Sequence, residues 1–344
     1  GADTARAGSL TGRHGAGLRT VFATGLRGFS FQGSATAARR IAADPAIAYV
    51  QPNAIVTIAA TQSPTPSWGL DRIDQRNLPL NNSYTYSNTA TAVHAYIIDT
   101  GILFGHSDFG GRASSGRDTV NNDNDATDCN GHGTHVAGTV GGNAYGVAKG
   151  VALVGVRVLN CEGSGTTEQV VAGINWVTAN AIKPAVANMS LGGGANTAID
   201  DAVRASITSG VTYAIAAGNG FLGLFALDAC TQSPARVTQA ITVSATNSSD
   251  AKPSWANRGT CVDVFAPGIS ITSAWYTSTT ATNTISGTSM ATPHVAGAAA
   301  LYLQNNPGAA PAAVQSAIIA AATTGVVTSP GSGSPTRLHY TAGF

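Results

Sequence analysis

Charge is scarce in this sequence of 344 residues: only 10% of the residues are charged, and the net charge is +1. Proteins that bind nucleic acid usually carry a basic patch or stripe, so this balance argues against nucleic acid as a partner. Long apolar runs are also lacking, since none approaches the roughly 20 residues that cross a bilayer, and we expect no membrane span. The chain begins without a charged-then-apolar leader, so any secretory signal has been removed or lies outside it.

Cysteine is rare as well, with four residues and no close C-x-x-C pair of the kind found in zinc sites. These cysteines allow three disulfide connectivities; they are Cys129, Cys161, Cys230 and Cys261. Sequential pairing would close two medium-length loops, each stabilising the fold by roughly 3–4 kcal/mol in the chain-entropy model. We expect two disulfides and hence an oxidising compartment; four buried free thiols in a cytosolic protein are the alternative.

Glycine is abundant, and the 41 glycines suit tight turns and close packing of helices on a sheet. Beyond residue 90, short apolar runs alternate with helical patterns, which predicts an α/β fold with a mostly parallel β-sheet and helices on both faces. The predicted strands are residues 92–98, 151–159, 185–190, 211–217 and 240–245, and the predicted helices are residues 132–140, 167–183, 197–209 and 289–305. Active sites of such sheets gather at the carboxyl ends of the strands.

The first 60 residues read as a separate, small α+β module. They contain an apolar run at 18–31, a short helix at 34–43 and two further strands at 47–50 and 55–58. Residues 61–67 are polar and interrupted by proline, which predicts a domain boundary that a protease could reach. We therefore expect two domains, residues 1–60 and residues 61–344.

Asp99 directly follows a buried strand, at the edge where a site is expected. A buried carboxylate needs a partner, and a histidine ring N–H is one that remains chemically useful. The motif at 99–101, DTG, also occurs in aspartic proteases, but their chemistry needs two such carboxylates. No second DTG or DSG motif is present, which excludes that interpretation.

His132 lies between two glycines in the segment 130–135, NGHGTH, which leaves room for a substrate beside its ring. His132 and His135 are three residues apart, so a metal-binding site is an alternative interpretation. Zinc hydrolases of the H-E-x-x-H type place their histidines four apart with a glutamate, and that glutamate is missing here. A catalytic base is the preferred interpretation, with metal ligation and a merely structural histidine as alternatives.

Ser289 follows Gly287 at the start of a predicted helix, whose free N–H groups favour an oxyanion nearby. A nucleophile is one interpretation, and a simple helix cap is the other. Asn219 follows the predicted strand at 211–217, and its amide together with the Ser289 N–H could hold an oxyanion. An asparagine in a turn is the alternative there.

Taken together, four segments resemble the signature blocks of the subtilisin-like serine peptidases. They are residues 93–101 with the DTG motif, residues 130–138 reading NGHGTHVAG, residues 216–219 reading AAGN, and residues 287–297 reading GTSMATPHVAG. The order Asp, His, Ser is also that of the family. The resemblance spans residues 61 to 344 and is strongest to the proteinase K branch, near the aqualysin-type secreted bacterial enzymes. The segments WGLDRIDQ (68–75) and NMSLGGG (188–194) are similar to that branch. Sequential pairing of the cysteines agrees with it.

The resemblance implies a secreted serine endopeptidase that acts through an acyl-enzyme. Ser289 would be the nucleophile, His132 the general base and acid, Asp99 the residue that orients the imidazole, and Asn219 an oxyanion donor. The implied substrate-binding residues are Gly163, Ser164, Gly165, Ser190, Leu191 and Gly192, which would pair with the substrate backbone, and Ala216, Ala217 and Gly218, which would line the primary specificity pocket. Such small residues predict an open pocket with a broad preference for apolar or aromatic side chains. We expect protein and peptide substrates and a monomer.

Two other classes of protein compete with this interpretation. A non-catalytic binding protein on the same fold would have lost a member of the triad, whereas Asp99, His132 and Ser289 are all present. An esterase or lipase would carry the G-x-S-x-G elbow and a different residue order, and neither is found here.

Calcium is the cofactor that the resemblance implies, in a structural role. Asp263, with the carbonyls of Thr238 and Ala240, matches one calcium site of the branch. A second site is matched by Asp71, Asp74 and Gln75, with later ligands corresponding to Asn81 and Ser83. A third candidate is the cluster of oxygen ligands offered by Asp123, Asp125 and Asp128. Solvated acidic loops are the alternative at each site.

Residues 1–60 resemble the second part of the inhibitory propeptide that accompanies these peptidases, since AYVQP (48–52) is similar to the stretch before its last strand. The end near residues 58–60 would lie in the cleft as a product, so the module would inhibit its own peptidase. The usual first strand is not evident before Leu18, and we therefore expect a partial propeptide. Residues 220–227, GFLGLFAL, depart from the polar loop of the branch; a substrate-side patch, a contact surface and buried packing are the three possibilities.

Overall fold

A computed structural model describes residues 4–24, 27–52, 59–221 and 223–344. The chain divides into two compact units, Gly1–Ile58 and Ala59–Phe344. Its α-helices are α1 (Thr4–Arg13), α2 (Ala35–Ala42), α3 (Trp68–Ile73), α4 (His132–Gly141), α5 (Thr167–Asn180), α6 (Thr197–Thr208), α7 (Thr288–Asn305) and α8 (Pro311–Ala321). Its strands are β1 (Gly17–Phe22), β2 (Gly28–Gln32), β3 (Ala60–Gln62), β4 (Tyr84–Tyr86), β5 (His94–Asp99), β6 (Ala113–Asp118), β7 (Ala152–Arg157), β8 (Ala185–Met189), β9 (Gly193–Gly194), β10 (Thr212–Ala216), β11 (Gln232–Ser233), β12 (Ile241–Thr246), β13 (Val264–Pro267), β14 (Ile271–Ala274) and β15 (Thr282–Ile285).

A seven-stranded sheet forms the centre of the larger unit, with the strand order β13-β12-β10-β8-β5-β7-β6. Every pairing within it is parallel. Successive residues of β5 enter two different hydrophobic clusters: Ala95 and Ile97 pack with α4, α7 and α8 on one face, whereas Tyr96 and Ile98 pack with α5 and α6 on the other. Because side chains alternate along a strand, both faces of the sheet are covered by helices, and the predicted fold class is confirmed.

Helix α7 lies deep against this sheet because its side chains are small. Residues 296–300 read AGAAA, and all are buried. A Cβ atom at Gly297 would lie 2.6 Å from Val147 Cβ and 3.1 Å from Val140 O, so glycine is what allows α4 to approach α7 at that point. The two helices that carry His132 and Ser289 are therefore packed directly on each other.

The segments predicted beyond residue 90 are all present, with small differences in their ends. Helix α5 ends at Asn180 instead of residue 183, because residue 183 precedes Pro184 and the position before a proline disfavours helix. Strand β6, ASSGRD, was not predicted, since it is a polar edge strand with no apolar alternation. Strand β13 and helix α8 were also missed. None of the described helices is long and apolar enough to cross a membrane.

The smaller unit contains an antiparallel hairpin, β1 with β2, and two helices. Its described core consists of Leu10, Ala16, Ala37 and Ile41. The strand predicted at 47–50 is wrong: Ile47 and Val50 pack against this core without strand pairing. The strand predicted at 55–58 lies outside the described residues. The predicted boundary segment at 61–67 also differs, because it begins within β3, which pairs with β4 of the larger unit.

Candidate active site

Asp99 and His132 are joined at the carboxyl edge of the sheet. Asp99 ends β5 and is fully buried, and its Oδ1 atom lies 2.7 Å from Nδ1 of His132, the first residue of α4. The same oxygen accepts a hydrogen bond of 2.8 Å from the N–H of Thr100. The carboxylate therefore fixes the edge of the imidazole that carries Nδ1. The Nε2 atom lies at the opposite edge of the ring, and the His132 side chain is 26% exposed.

A buried network ties the loop after β5 to the start of α4. The Thr100 hydroxyl donates to Asp128 Oδ1 at 2.9 Å and accepts from the N–H of Gly133 at 2.9 Å. Asp128 also accepts from the backbone N–H and the hydroxyl of Thr134. Side chains are excluded where the two segments meet, because a Cβ atom at Gly133 would lie 2.1 Å from the carbonyl oxygen of Gly101. The relative position of Asp99 and His132 is thus fixed by backbone contact.

The pKa of His132 is raised above its ordinary value of 6.5. Burial alone would lower this pKa, but the charge of Asp99, the hydrogen bond to Asp99 and the charge of Asp128 together outweigh burial. The neutral imidazole, which is the form that can accept a proton, therefore becomes dominant only at a pH above 6.5.

Ser289 lies in the first turn of α7 and forms a reciprocal pair with Ser190. The Ser289 hydroxyl donates to the Ser190 carbonyl oxygen at 3.1 Å, and the Ser190 hydroxyl donates to the Ser289 carbonyl oxygen at 2.8 Å. No hydrogen bond links Ser289 to His132 within the part of the chain that is described. Catalytic hydrogen bonds are often long in ligand-free enzymes, so this arrangement is compatible with a nucleophile at Ser289.

The side chain of Asn219 is oriented by Thr288. Its Oδ1 atom accepts from the backbone N–H and from the hydroxyl of Thr288, both at 2.9 Å. The Nδ2 group of Asn219 and the N–H of Ser289 have no acceptor among the described residues, and the latter is one of the unpaired N–H groups at the start of α7. Two donors at the site are thus available to an anion.

A cavity of about 650 Å³ opens beside His132. Its lining includes all six residues predicted to pair with a substrate backbone, namely Gly163, Ser164, Gly165, Ser190, Leu191 and Gly192. The remaining predicted substrate residues, Ala216, Ala217 and Gly218, lie at the end of β10 and are not part of this lining. They are held by buried Asn257, which donates to Ala217 O at 2.7 Å and to Gly218 O at 2.9 Å.

Both disulfides of the sequential pairing are present, Cys129 with Cys161 and Cys230 with Cys261. The first joins the loop before His132 to the segment before Gly163. Asn130 adds a hydrogen bond of 2.8 Å from its Nδ2 group to Cys161 O. The cavity wall and the histidine loop are therefore covalently connected.

The oxygen ligands proposed around Asp263 suit a hard cation such as calcium. Burial raises the pKa of Asp263 to about 6, against the opposing effects of the Thr242 N–H, Gln315 and Arg337, so its negative charge is incompletely compensated. The Nε2 group of Gln315 donates to the carbonyl oxygens of Thr238 at 3.0 Å and Ala240 at 2.8 Å. A cation there would have to displace this amide from both carbonyls.

The second candidate site fits a cation at Asp74. Burial and the neighbouring charge of Asp71 raise the pKa of Asp74 to about 6, although the Thr85 N–H lowers it. Its Oδ1 atom is buried without a hydrogen-bond partner in the described chain. Other members of this site already have partners: Asp71 accepts from the backbone of Asn81 and Asn82, Gln75 donates to Asn77 O and Pro79 O, and Ser83 donates to Asn81 Oδ1.

At the third candidate site, each carboxylate already accepts hydrogen bonds. Buried Asp128 accepts five hydrogen bonds, from the Thr100 hydroxyl, the N–H groups of Asn130 and Gly131, and the N–H and hydroxyl of Thr134. Asp123 and Asp125 instead cap their own loop. Among the described residues, no three His, Cys, Asp or Glu side chains form a metal-binding group. The carboxylate of Asp128 serves the histidine loop, and its assignment as a metal ligand stays a prediction.

Three residues of the site escaped the sequence analysis: Asp128 in its actual role, Thr288 and Asn257. Thr288 and Asn257 act by hydrogen bonds to residues far away in the chain, and such bonds leave no local pattern. Asp128 accepts mainly from residues within six positions of it, and its sequence looks like that of any acidic loop. The only signal for Thr288 was its position beside Ser289.

Comparison with known proteins adds independent information. A sequence model of the subtilase family matches residues 90–339. The chain is 56% identical over 330 residues to the extracellular serine proteinase of Thermus sp. (strain Rt41A), covering 96% of this chain and 79% of that protein. It is 51% identical over 336 residues to alkaline serine exoprotease A of Vibrio alginolyticus, covering 96% of this chain and 61% of that protein. The structure is similar to the crystal structure of a cold adapted subtilisin-like serine proteinase, with a TM-score of 0.78, 54% identity, and coverage of 82% of this chain and 100% of that one.

Proposed function

The chain belongs to the subtilase family, and we propose that it is a secreted serine endopeptidase that cleaves proteins through an Asp99, His132 and Ser289 triad. The observation that carries the proposal is the 2.7 Å hydrogen bond between Asp99 and His132 beside the cavity. Two of its relatives are named an extracellular serine proteinase and an alkaline serine exoprotease, which agrees with this chemistry and with secretion.

The proposed reaction has two halves. In the first, Ser289 Oγ bonds to the scissile carbonyl carbon while His132 Nε2 takes the hydroxyl proton, and that proton leaves with the amine as the C–N bond breaks. In the second, water attacks the acyl carbon while His132 Nε2 takes its proton, and that proton returns to Ser289 Oγ as the ester bond breaks and the carboxylic acid leaves. Asp99 keeps the proton of the imidazole on Nδ1, so that Nε2 is the accepting atom. The Ser289 hydroxyl must first exchange its hydrogen bond to Ser190 O for one to His132.

Charge that develops on the carbonyl oxygen would be stabilised by Asn219 Nδ2 and the Ser289 N–H, both of which lack acceptors among the described residues. Preset donors of this kind typically contribute about 100- to 1,000-fold to turnover each. Segments 163–165 and 190–192 would pair with the substrate backbone as added strands. Residues 216–218 are small, with Ala216 and Ala217 buried and Gly218 half-buried. They would form the wall of an open primary pocket that prefers apolar and aromatic side chains.

The direct test is covalent labelling with a serine-directed sulfonyl fluoride, followed by mass mapping of the modified residue. We expect Ser289 to be labelled in the wild type, and casein to be digested by the wild type but not by Ser289→Ala. Because serine peptidases also cleave activated esters, a protein substrate is required. Labelling elsewhere, or casein digestion by Ser289→Ala, would refute the proposal.

We further propose that calcium stabilises this enzyme at two sites. Asp263 with Thr238 O and Ala240 O would hold one ion, and Asp71, Asp74 and Gln75 would hold the other. The support is the incompletely compensated charge of Asp263 and Asp74, both with a pKa raised to about 6 by burial. A bound cation would supply positive charge there and connect separate loops. An unchanged melting temperature in the presence of a chelator would contradict this proposal.

Residues 1–60 are proposed to be a partial inhibitory propeptide. The support is their separate compact unit and their resemblance to the second part of such propeptides. We expect a cut within residues 59–61 in expressed wild-type protein and an uncut chain in Ser289→Ala, both detectable by mass spectrometry. A fully active enzyme that retains the uncut module would contradict this proposal.

A further inference from the structure

Three exposed apolar side chains form a cluster just after Asn219, which we call the apolar tip. Phe221, Leu224 and Phe225 are 54%, 69% and 55% exposed. Only two other large apolar side chains described in the larger unit are exposed, Leu78 at 40% and Ile182 at 60%, and they are far apart in sequence. Single exposed apolar residues are ordinary, but a group of them is typical of a binding surface.

The apolar tip has a defined shape. The N–H of Phe221 donates to Phe225 O at 3.0 Å, and the N–H of Leu224 donates to Phe221 O at 3.0 Å, so the backbone forms a tight hairpin turn. The two phenylalanine rings are stacked, with centroids 5.6 Å apart and planes inclined by 28°. A preformed surface of this kind loses little conformational entropy when it binds a ligand.

The base of the hairpin is fixed to the body of the unit. Gly220 has a φ of +69°, and a Cβ atom there would lie 2.1 Å from Phe225 O and 2.8 Å from Trp255 O. The N–H of Ala226 donates to Ser254 O at 3.1 Å. The apolar tip therefore projects from a rigid base, and the backbone conformation keeps its side chains exposed.

Asn257 connects this base to the proposed oxyanion site. Its Oδ1 accepts from the Leu227 N–H at 2.8 Å, while its Nδ2 donates to Ala217 O at 2.7 Å. Phe221 follows Asn219 by two residues, so their Cα atoms are at most about 7 Å apart. A polypeptide whose scissile carbonyl lies at Asn219 must pass close to the apolar tip.

We propose that the apolar tip is a substrate-binding surface that takes an apolar side chain adjacent to the scissile bond, in addition to the primary pocket. This inference rests on the proposed function. Its occupant is a polypeptide substrate because the surface is continuous with the site, and the occupant is apolar because residues 220–227, GFLGLFAL, carry no charged side chain. Contact with one apolar side chain in such a surface is worth about 10- to 200-fold in kcat/KM.

The test compares two sets of peptides with the same residue in the primary pocket. One set carries Leu and the other Gln at the flanking positions on each side of the cut. We expect the wild type to favour the Leu peptide by about tenfold or more at one flanking position. The double variant Phe221→Ser with Phe225→Ser should lose that preference, because its kcat/KM on the Leu peptide falls toward its kcat/KM on the Gln peptide. The double variant with Leu at both positions should keep the preference.

Ile182→Ser is the matched control, because Ile182 is 60% exposed but lies before β8, at the amino end of the sheet. Its Leu to Gln ratio should equal that of the wild type, and melting temperatures report whether each variant is folded. If the two serine substitutions leave the Leu to Gln ratio unchanged, the inference is wrong but the proposed function stands. If they change only the sedimentation of the protein, the apolar tip serves self-association instead. If the wild type cleaved neither peptide, the proposed function itself would fail.

Discussion

Two donors of Thr288 converge on one atom of Asn219: the backbone N–H and the hydroxyl both lie 2.9 Å from Oδ1. Because an amide has a single carbonyl oxygen, these bonds decide which end of the side chain is the NH₂ group. The residue next to the proposed nucleophile therefore sets the direction in which the proposed oxyanion donor points, and the two parts of the site are coupled.

Thr288→Val should lower kcat by about tenfold with little change in KM, since it keeps the shape but removes the hydroxyl that orients Asn219. Asn219→Ala should cost about 100- to 1,000-fold in kcat. Thr288→Ser, which retains the hydroxyl, is the control and should stay near the wild-type rate. Steady-state kinetics on a peptide amide check this; an equal loss in the Ser and Val variants would show that the hydroxyl is not the cause.

Activity should rise with pH along a limb whose midpoint lies above 6.5, because the raised pKa of His132 keeps the ring protonated, and unable to act as a base, to a higher pH. In Asp99→Asn the charge that raises this pKa is gone while burial remains, so the midpoint should move down; kcat should fall by about 10⁴-fold. Nitrogen NMR of the imidazole in a Ser289→Ala background measures the pKa without turnover. An upward shift in Asp99→Asn would contradict this account.

The two disulfides offer a matched pair, since they span 32 and 31 residues. Replacing either pair by serine should lower the free energy of unfolding by a similar amount, roughly 3–4 kcal/mol. Only the loss of Cys129 with Cys161 should raise KM, because that bond connects the cavity wall to the histidine loop. Denaturant unfolding and kinetics on both variants decide the point. A KM increase of the same size in both variants would show that the effect is general.

Gln315→Ala should strengthen calcium binding at the Asp263 site, since the amide that occupies both ligand carbonyls is removed. The melting temperature in chelator should fall, and the gain on adding calcium should grow. Gln315→Glu, which brings a carboxylate to the same position, should enlarge that gain further. Calorimetry of calcium binding gives the affinities. Equal affinities in the wild type and Gln315→Ala would mean that the amide does not compete.

The sequence predicted the order of strands and helices in the larger unit well because its strands are short apolar runs and the helices between them are amphipathic or small-residue segments. It failed where structure depends on distant partners. Strand β6 owes its existence to pairing with β7 rather than to its own polar residues. Residues 47–50 have strand-like composition but pair with no strand among the described residues.

The same limit applied to the site. Asp99 and His132 could be anticipated because each lies at an end of a recognisable element, and they are hydrogen-bonded as expected. The hydrogen bonds of Asp128 could not be anticipated, because an acidic loop in sequence looks alike whether its carboxylates face water, a cation or a set of backbone N–H groups. Only the five donors around it distinguish these cases.

The contact between Gly133 and Gly101 has a consequence for how this enzyme can change. No side chain fits between the two backbones, so laboratory evolution would find almost no tolerated substitutions at that junction. Adaptation to new substrates would instead accumulate at exposed side chains outside it, such as Ser164, Phe221, Leu224 and Phe225, which can vary without disturbing that junction.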